Sequence, residues 1–119
     1  IIQKDFDKKK MNIINNNSNV TYFEDIDKNV KPFEDTISII KNLDLVITAD
    51  TSLAHLSATL NKNTWIALPL VSDWRWFNSE KKSIWYENAT LYKQKKIGNW
   101  ENIFKNMKED IKKNFKNFF

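Results

Sequence analysis

The chain has 119 residues, a formal net charge of +4 at pH 7, 41% hydrophobic residues and no cysteine. This length suffices for one modest domain with a single core, and the composition is that of a globular protein. The absence of cysteine excludes disulfide frameworks and thiolate metal sites. Because no apolar run approaches the roughly 20 residues that cross a bilayer, we expect a cytoplasmic protein without a membrane span.

The N-terminal part opens with a short apolar run, Ile1-Ile2-Gln3, which we interpret as a truncated first strand. Because the chain begins with this run rather than with methionine, we expect a fragment or shortened form of a longer polypeptide. Residues 20–23 (VTYF) have strand propensity. The spacing of Asp25 and Asp27 can chelate a divalent cation, but an acidic loop is the simpler interpretation, and we predict no metal site.

A helix is predicted to begin near Pro32, because acidic residues follow in what would be its first turn. Its apolar stripe consists of Phe33, Ile37, Ile40 and Leu43. We expect this helix to lead directly into the strand that follows it.

Residues 42–60 have the pattern of a strand, a tight turn and a helix. Residues 43–48 (LDLVIT) are rich in apolar and β-branched residues, as in a buried strand, and leucines then recur at helical spacing. Another apolar run at 64–68 (TWIAL) predicts a second strand, so we expect the strands at 44–48 and 64–68 to be parallel neighbours. Asn61 stands where a left-handed residue commonly ends a helix.

The turn between this strand and this helix carries Asp50, Thr51 and Ser52, and His55 follows in the first helical turn. In an open α/β sheet, such a junction lies at the carboxyl end of a strand, where ligands bind. A helix N-terminus there offers free N–H groups and a positive dipole end to an anion such as a phosphate. Two plainer interpretations stay open: the turn residues only cap the helix, and the histidine is structural.

A second loop, at the same predicted sheet edge, contains Asp73, Trp74, Arg75 and Trp76 directly after the second strand. Arginine provides a planar fork of donors for a phosphate or carboxylate, and tryptophan provides a flat face for a base or a sugar. We therefore treat these four residues as candidate contacts to a bound ligand. The alternative is that the tryptophans close a small core beneath a long loop.

The C-terminal part contains a last short strand at 89–92 (ATLY) and a helix that begins after Asn99, which we interpret as its cap. The helix is predicted to bury one apolar face against the sheet. The residues of that face are Trp100, Ile103, Phe104, Met107, Ile111 and Phe115. Its lysines alternate with acidic residues, which is typical of a solvated helix surface, so we predict no nucleic-acid binding.

Residues 43–76 (LDLVITADTSLAHLSATLNKNTWIALPLVSDWRW) and 84–100 (IWYENATLYKQKKIGNW) resemble the C-terminal half of glycosyltransferases with the GT-B fold. The resemblance is to heptosyltransferase-related proteins that are often fused to tetratricopeptide repeats in bacteria. The shared pattern comprises D-L-V-I-x-x-D-T-S-x-A-H-L-A, W-x-x-L-P, D-W-R-W, S-x-W-Y and G-x-W, in this order. It covers most of residues 33–100, although Asn61-Lys62-Asn63 replaces the Gly-Lys-Pro that is usual in the family.

The resemblance implies an α/β fold, namely a Rossmann-like three-layer domain with a mostly parallel sheet that forms one half of a GT-B fold over residues 1–119. It also implies that Asp50, Thr51, Ser52 and His55 face the diphosphate of a nucleotide-sugar donor, without a metal or another cofactor. The second loop, with Asp73, Trp74, Arg75 and Trp76, then offers candidate contacts to the sugar donor or to the acceptor.

A GT-B enzyme works in a cleft between two such domains, and the acceptor side and the usual catalytic base belong to the N-terminal one. We therefore expect this half to be inactive alone and its partner to be the missing N-terminal domain or a second copy. No catalytic residue is predicted in the chain itself. The alternative function is a non-catalytic dimerisation or protein-interaction module derived from this fold.

Overall fold

The computed structural model describes residues 1–2, 8–77, 79 and 81–116. The regular elements, in chain order, are helix α1 (Lys8–Asn15), helix α2 (Glu34–Lys41), strand β1 (Val46–Ala49), helix α3 (Ser52–Thr59), strand β2 (Thr64–Leu68), a 3-10 helix (Trp74–Trp76), strand β3 (Ala89–Lys93) and helix α4 (Glu101–Asn114). They fall into two compact units, an N-terminal unit at Ile1–Asn42 and a C-terminal unit at Leu43–Phe119. None of the helices in the described part of the chain is both long and apolar enough to cross a membrane.

The C-terminal unit is built on a three-stranded, entirely parallel sheet in the order β1-β2-β3. Helix α3 connects β1 to β2, and Val46 pairs with Thr64, so the prediction of two parallel neighbours is confirmed. The connection from β2 to β3 contains the 3-10 helix. Because all three strands run in the same direction, their carboxyl ends meet at one edge of the sheet.

The middle strand β2 is buried along its whole length, and its side chains alternate between two separate cores. Ile66 and Leu68 pack in a cluster with Ala54 and Ala58 of α3. On the opposite face, Trp65 belongs to the cluster that α4 covers, which also contains Ala67, Tyr92, Ile103 and Met107. The unit therefore has three layers, with α3 and α4 on opposite faces of the sheet, and the predicted Rossmann-like α/β fold is confirmed.

The C-terminus of α3 ends as the sequence predicts. Asn61 has a φ of 57°, and its N–H donates to the carbonyl of Ala58 while the N–H of Lys62 donates to that of Ser57. These two bonds form a Schellman motif, in which a left-handed residue lets the chain satisfy the last carbonyls of a helix. The chain can then turn directly into β2, which begins at Thr64.

Helix α4 buries a narrower stripe than we predicted. Ile103 and Met107 are buried against the sheet and Ile111 and Phe115 are partly buried, but the side chain of Phe104 is 55% exposed and Trp100 is also exposed. The prediction was wrong for these last two residues. The row of side chains through Ile103 and Met107 faces the sheet, and the neighbouring row with Trp100 and Phe104 faces solvent.

The predicted cap of α4, Asn99, lies one residue before the N-cap position, which Trp100 occupies without a side-chain cap bond. The side-chain oxygen of Asn99 accepts a hydrogen bond from the N–H of Asn102 at 3.4 Å. The preceding Gly98 has a φ of 77°, a conformation that a side chain disfavours. The turn at Gly98 and this long hydrogen bond of Asn99 thus precede the first turn of the helix.

In the N-terminal unit, neither of the two predicted strands is observed in the residues that the structure describes. Residues 20–23 form no strand, although their composition favours one, because strand propensity depends on the structural context as well as on the residue types. Of the predicted first strand, Ile1 and Ile2 lie outside any strand, and Gln3 lies outside the described residues. Helix α2 begins at Glu34, two residues after Pro32, and carries Glu34 and Asp35 in its first turn as predicted.

The residue before α2, Phe33, has a left-handed backbone with a φ of 66° and an exposed side chain, so its predicted place in the buried stripe was wrong. Asp27 instead caps the helix. Its carboxylate accepts hydrogen bonds from the N–H groups of Asp35 and Thr36, at 2.8 and 3.1 Å, and from the Thr36 hydroxyl at 2.6 Å. The Asp35 carboxylate accepts in return from the N–H of Asp27. This reciprocal arrangement gives Asp27 a structural role.

Candidate functional site

The carboxyl edge of the sheet is held together by Gln94, which directly follows β3. Its backbone N–H donates to the carbonyl of Leu68 at 3.0 Å, and its buried side-chain oxygen accepts from the N–H of Leu70 at 3.3 Å. The loop that leaves β2 is therefore tied to the end of β3. This rigid edge carries the two loops in which the sequence predicts ligand contacts.

A concavity of about 510 Å³ lies at this edge and is lined by Asp50, Thr51, Ser52, His55 and Arg75. The first four are the residues predicted to face a diphosphate, and they come from the end of β1 and the first turn of α3. Arg75 comes from the 3-10 helix that follows β2. Two segments that are separated by about one helix and one strand in the chain thus meet around one space.

The N-terminus of α3 has no side-chain cap. Thr51 occupies the cap position with an extended backbone, and its hydroxyl makes no bond to the N–H groups of the helix. The hydroxyl lies instead 3.2 Å from that of Thr48. The first-turn N–H groups at Ser52 and Leu53 are consequently left for solvent or a ligand, and the positive end of the α3 dipole adds to them.

His55 is held on two sides by aromatic residues. Its Nδ1 lies 3.1 Å from the hydroxyl oxygen of Tyr86, and its ring stacks on Trp76 with centroids 4.9 Å apart and an interplanar angle of 18°. Within the described part of the chain, Nε2 makes no hydrogen bond. The imidazole is therefore fixed in place, and Nε2 is the ring nitrogen that a ligand can engage.

Arg75 is oriented by its own loop. Its Nε lies 3.3 Å from the carboxylate of Asp73, which also accepts from the backbone N–H of Arg75 at 3.0 Å. The guanidinium lies 5.6 Å from the ring centroid of Trp74, a distance typical of a cation–π contact. On the other side, the indole N–H of Trp85 donates to the Arg75 carbonyl at 2.7 Å. The arginine is half-exposed, with its backbone and one edge of its side chain restrained.

The four residues predicted in the second loop therefore take different positions. Arg75 lines the concavity, and Asp73 orients it. The side chain of Trp74 is 69% exposed beside the guanidinium, whereas Trp76 is only 1% exposed and belongs to the core under α3. Trp76 does not line the concavity itself, but its ring stacks on that of His55, which does.

Tyr86 is the site residue that sequence reasoning did not identify. Tyr86 ends the S-x-W-Y part of the shared pattern, but its contact with His55, 31 residues earlier, depends on how the connection from β2 to β3 folds back over α3. The backbone of Tyr86 is held by Ser83, whose buried hydroxyl oxygen accepts from its N–H. The neighbouring Asn88 donates to the carbonyl of Ala58 at 3.0 Å, which ties the same connection to the end of α3.

No group of three or more histidine, cysteine, aspartate or glutamate side chains that could hold a metal ion occurs among the described residues. Comparison of the chain with protein-family models, with curated proteins and with solved structures gives no match.

Proposed function

We propose that the C-terminal unit binds the diphosphate of a nucleotide-sugar donor and serves as the donor-binding half of a GT-B-type glycosyltransferase. One observation supports this most directly: the uncapped N-terminus of α3, His55 and Arg75 meet around one concavity at the carboxyl edge of a parallel sheet. Each of these groups is a donor that suits phosphate oxygens. The family resemblance supplies the identity of the anion.

The donors differ in character and so divide the work of binding. The α3 terminus contributes backbone N–H groups and about half a positive charge, and Thr51 and Ser52 add hydroxyls. The guanidinium of Arg75 can hold two phosphate oxygens at once. In transfer, negative charge grows on the leaving diphosphate, and fixed donors of this kind stabilise that charge.

This half does not activate an acceptor. We propose that the acceptor site and the general base come from a second, N-terminal domain, so that the chain alone binds a donor without transferring the sugar. We further propose that binding requires no metal ion, because the described residues around the concavity offer mainly N–H and hydroxyl groups, with Asp50 as the one carboxylate among them. Titrations with and without EDTA should then give the same dissociation constant.

Calorimetric titration of the chain with UDP-, GDP- and ADP-sugars tests the proposal. We expect at least one to bind, and we expect Ser52→Ala and His55→Ala each to raise the Kd by about 5- to 20-fold. Lys105→Ala, an exposed change on α4, is the matched control and should leave the Kd unchanged. Absence of any heat or of any NMR shift near Thr51 with all three nucleotide sugars would rule the proposal out.

A second candidate function is a non-catalytic dimerisation or interaction module. The observation that favours it is a set of exposed apolar side chains on the connection between β2 and β3, namely Trp74, Phe77, Ile84 and Trp85. The rings of Phe77 and Trp85 contact each other, with centroids 6.1 Å apart. Sedimentation velocity over a range of concentrations separates the two functions, since a stable dimer that binds no nucleotide would support the module.

A further inference from the structure

We propose that Tyr86 is a positioning residue that keeps neutral His55 in the Nε2–H tautomer, so that the ring presents an N–H donor to an anion in the concavity. The identity of the anion rests on the proposed function. The role of Tyr86 rests on the contacts of the ring itself.

The geometry leaves His55 little freedom. Tyr86 contacts the ring twice, through its hydroxyl at 3.1 Å and edge-on with centroids 5.9 Å apart. Trp76 covers one face of the imidazole. Both aromatic residues are anchored, because Trp76 is a member of the core under α3 and Tyr86 packs against the same core.

The backbone around Tyr86 is also fixed before any ligand arrives. The Ser83 hydroxyl oxygen accepts from the N–H groups of Trp85 and Tyr86, at 3.2 and 3.3 Å. The carbonyl of Tyr86 accepts from the N–H of Ala89 as β3 begins. The phenol is thus delivered to His55 by a turn that is joined directly to the sheet.

The chemistry of the pair decides the direction of the hydrogen bond. A phenol O–H is a stronger donor than a neutral imidazole N–H, and an imidazole nitrogen is a stronger acceptor than a phenol oxygen. The Tyr86 hydroxyl therefore donates to Nδ1, and the proton of the neutral ring resides on Nε2. In the other tautomer a lone pair on Nε2 would face an anion, which is repulsive.

If the hydrogen bond between Tyr86 and His55 served only the stability of the fold, its removal would not change ligand binding. His55 is half-buried and lines the concavity, so its free nitrogen is accessible to a bound molecule. When one ring nitrogen of a histidine binds a ligand, the hydrogen-bond partner of the other nitrogen sets the tautomer and the orientation of the ring. Tyr86 therefore acts on the ligand through His55, without contact of its own.

The test is the tautomeric state of His55, the single histidine in the chain, measured by nitrogen NMR on histidine-labelled protein without ligand at a pH of about 8, where imidazole is neutral. We expect the wild-type ring to carry its proton on Nε2 and Tyr86→Phe, which removes only the hydroxyl, to give a mixture of both tautomers. Tyr92→Phe is the control, because it removes a phenol hydroxyl on the opposite face of the sheet. A wild-type proton on Nδ1, or an unchanged tautomer in Tyr86→Phe, overturns the role of Tyr86.

Binding is measured separately with inorganic pyrophosphate. We expect Tyr86→Phe to raise the Kd about 5-fold and Tyr92→Phe to leave it unchanged. Equal affinities of the wild type and Tyr86→Phe overturn the positioning role. Absence of pyrophosphate binding by the wild type overturns the proposed function, whereas the tautomer measurement, which contains no ligand, decides the state of His55 independently. Since the wild-type spectrum alone can show the proton on Nδ1, the inference is testable even if Tyr86→Phe fails to fold.

Discussion

The ring of His55 lies nearly parallel to the indole of Trp76, with centroids 4.9 Å apart. Trp76 is almost completely buried in the core between α3 and the sheet. A side chain that lines the concavity is therefore supported directly by one of the largest side chains of the hydrophobic core. Stability and site geometry are coupled at this contact.

Replacement of the two tryptophans of the 3-10 helix should separate their roles. We expect Trp76→Ala to lower the free energy of unfolding by about 3–5 kcal/mol, because it leaves a large cavity in the core. Trp74→Ala, at a 69% exposed position in the same helix, should change it by about 0.5 kcal/mol or less. Urea denaturation followed by circular dichroism measures both, and similar losses for the two variants would contradict the assignment.

Replacement of Arg75 by alanine or by lysine should lower the affinity for an anion. We expect Arg75→Ala to raise the Kd for pyrophosphate at least about 10-fold, and Arg75→Lys to recover only part of this loss, because lysine cannot bind two oxygens with a planar fork. Lys81→Ala, an exposed cation elsewhere on the same connection, serves as the charge-matched control. Equal effects of Lys81→Ala and Arg75→Ala would indicate general electrostatic attraction in place of a specific contact.

Asp50 places a carboxylate in the same concavity as the donors. A negative charge within a few ångströms of an anion opposes binding, so we expect Asp50→Asn to bind pyrophosphate at least as tightly as the wild type. The gain should be larger at low ionic strength, because salt screens the repulsion. Calorimetric titration at two salt concentrations measures this, and a 10-fold weakening would mean that the carboxylate itself contributes to recognition.

The contact between Tyr92 and Asp110 makes the stability of the C-terminal unit depend on pH in the alkaline range. The Tyr92 hydroxyl donates to the Asp110 carboxylate at 2.9 Å. Burial of the phenol, and then its hydrogen bond and proximity to the Asp110 carboxylate, raise the pKa of Tyr92 well above the ordinary value of 10.0.

Because the pKa of Tyr92 is higher in the folded state, its contribution to stability is complete below pH 10 and is lost as the pH rises above that value. We expect Tyr92→Phe to lower the free energy of unfolding by about 1 kcal/mol at pH 7. The difference in this free energy between the variant and the wild type should shrink between about pH 10 and 11. Urea denaturation of both proteins at about pH 7, 10 and 11 measures this difference. A difference that stays constant across the range would contradict the assignment.

The central β1–α3–β2 segment was predictable because its signals are local. The apolar runs of the two strands, the leucines at helical spacing and the left-handed Asn61 each act within a few residues of the chain. The same reasoning predicted that Asp50 to His55 lie at the carboxyl edge of the sheet, since a helix that follows a parallel strand begins at that edge.

Composition was a poorer guide where burial depends on a neighbour. Residues 20–23 have strand-forming side chains but form no strand, and Phe104 lies on the apolar side of α4 but is 55% exposed. Trp74 and Trp76 are two residues apart in one loop, and the sequence does not distinguish the exposed one from the buried one. The fold does so, because a 3-10 turn directs them to different sides.

The sequence by itself determined the order of strand, turn and helix at residues 46–59 and the group of polar side chains at the start of α3, because hydrophobic periodicity and capping are short-range effects. Only the tertiary structure decided that Arg75 lines the same concavity and that Tyr86 holds His55. These contacts join residues 20 or more positions apart. They depend on the path of the connection from β2 to β3 over the core, which is set by packing against α3 and not by any local pattern.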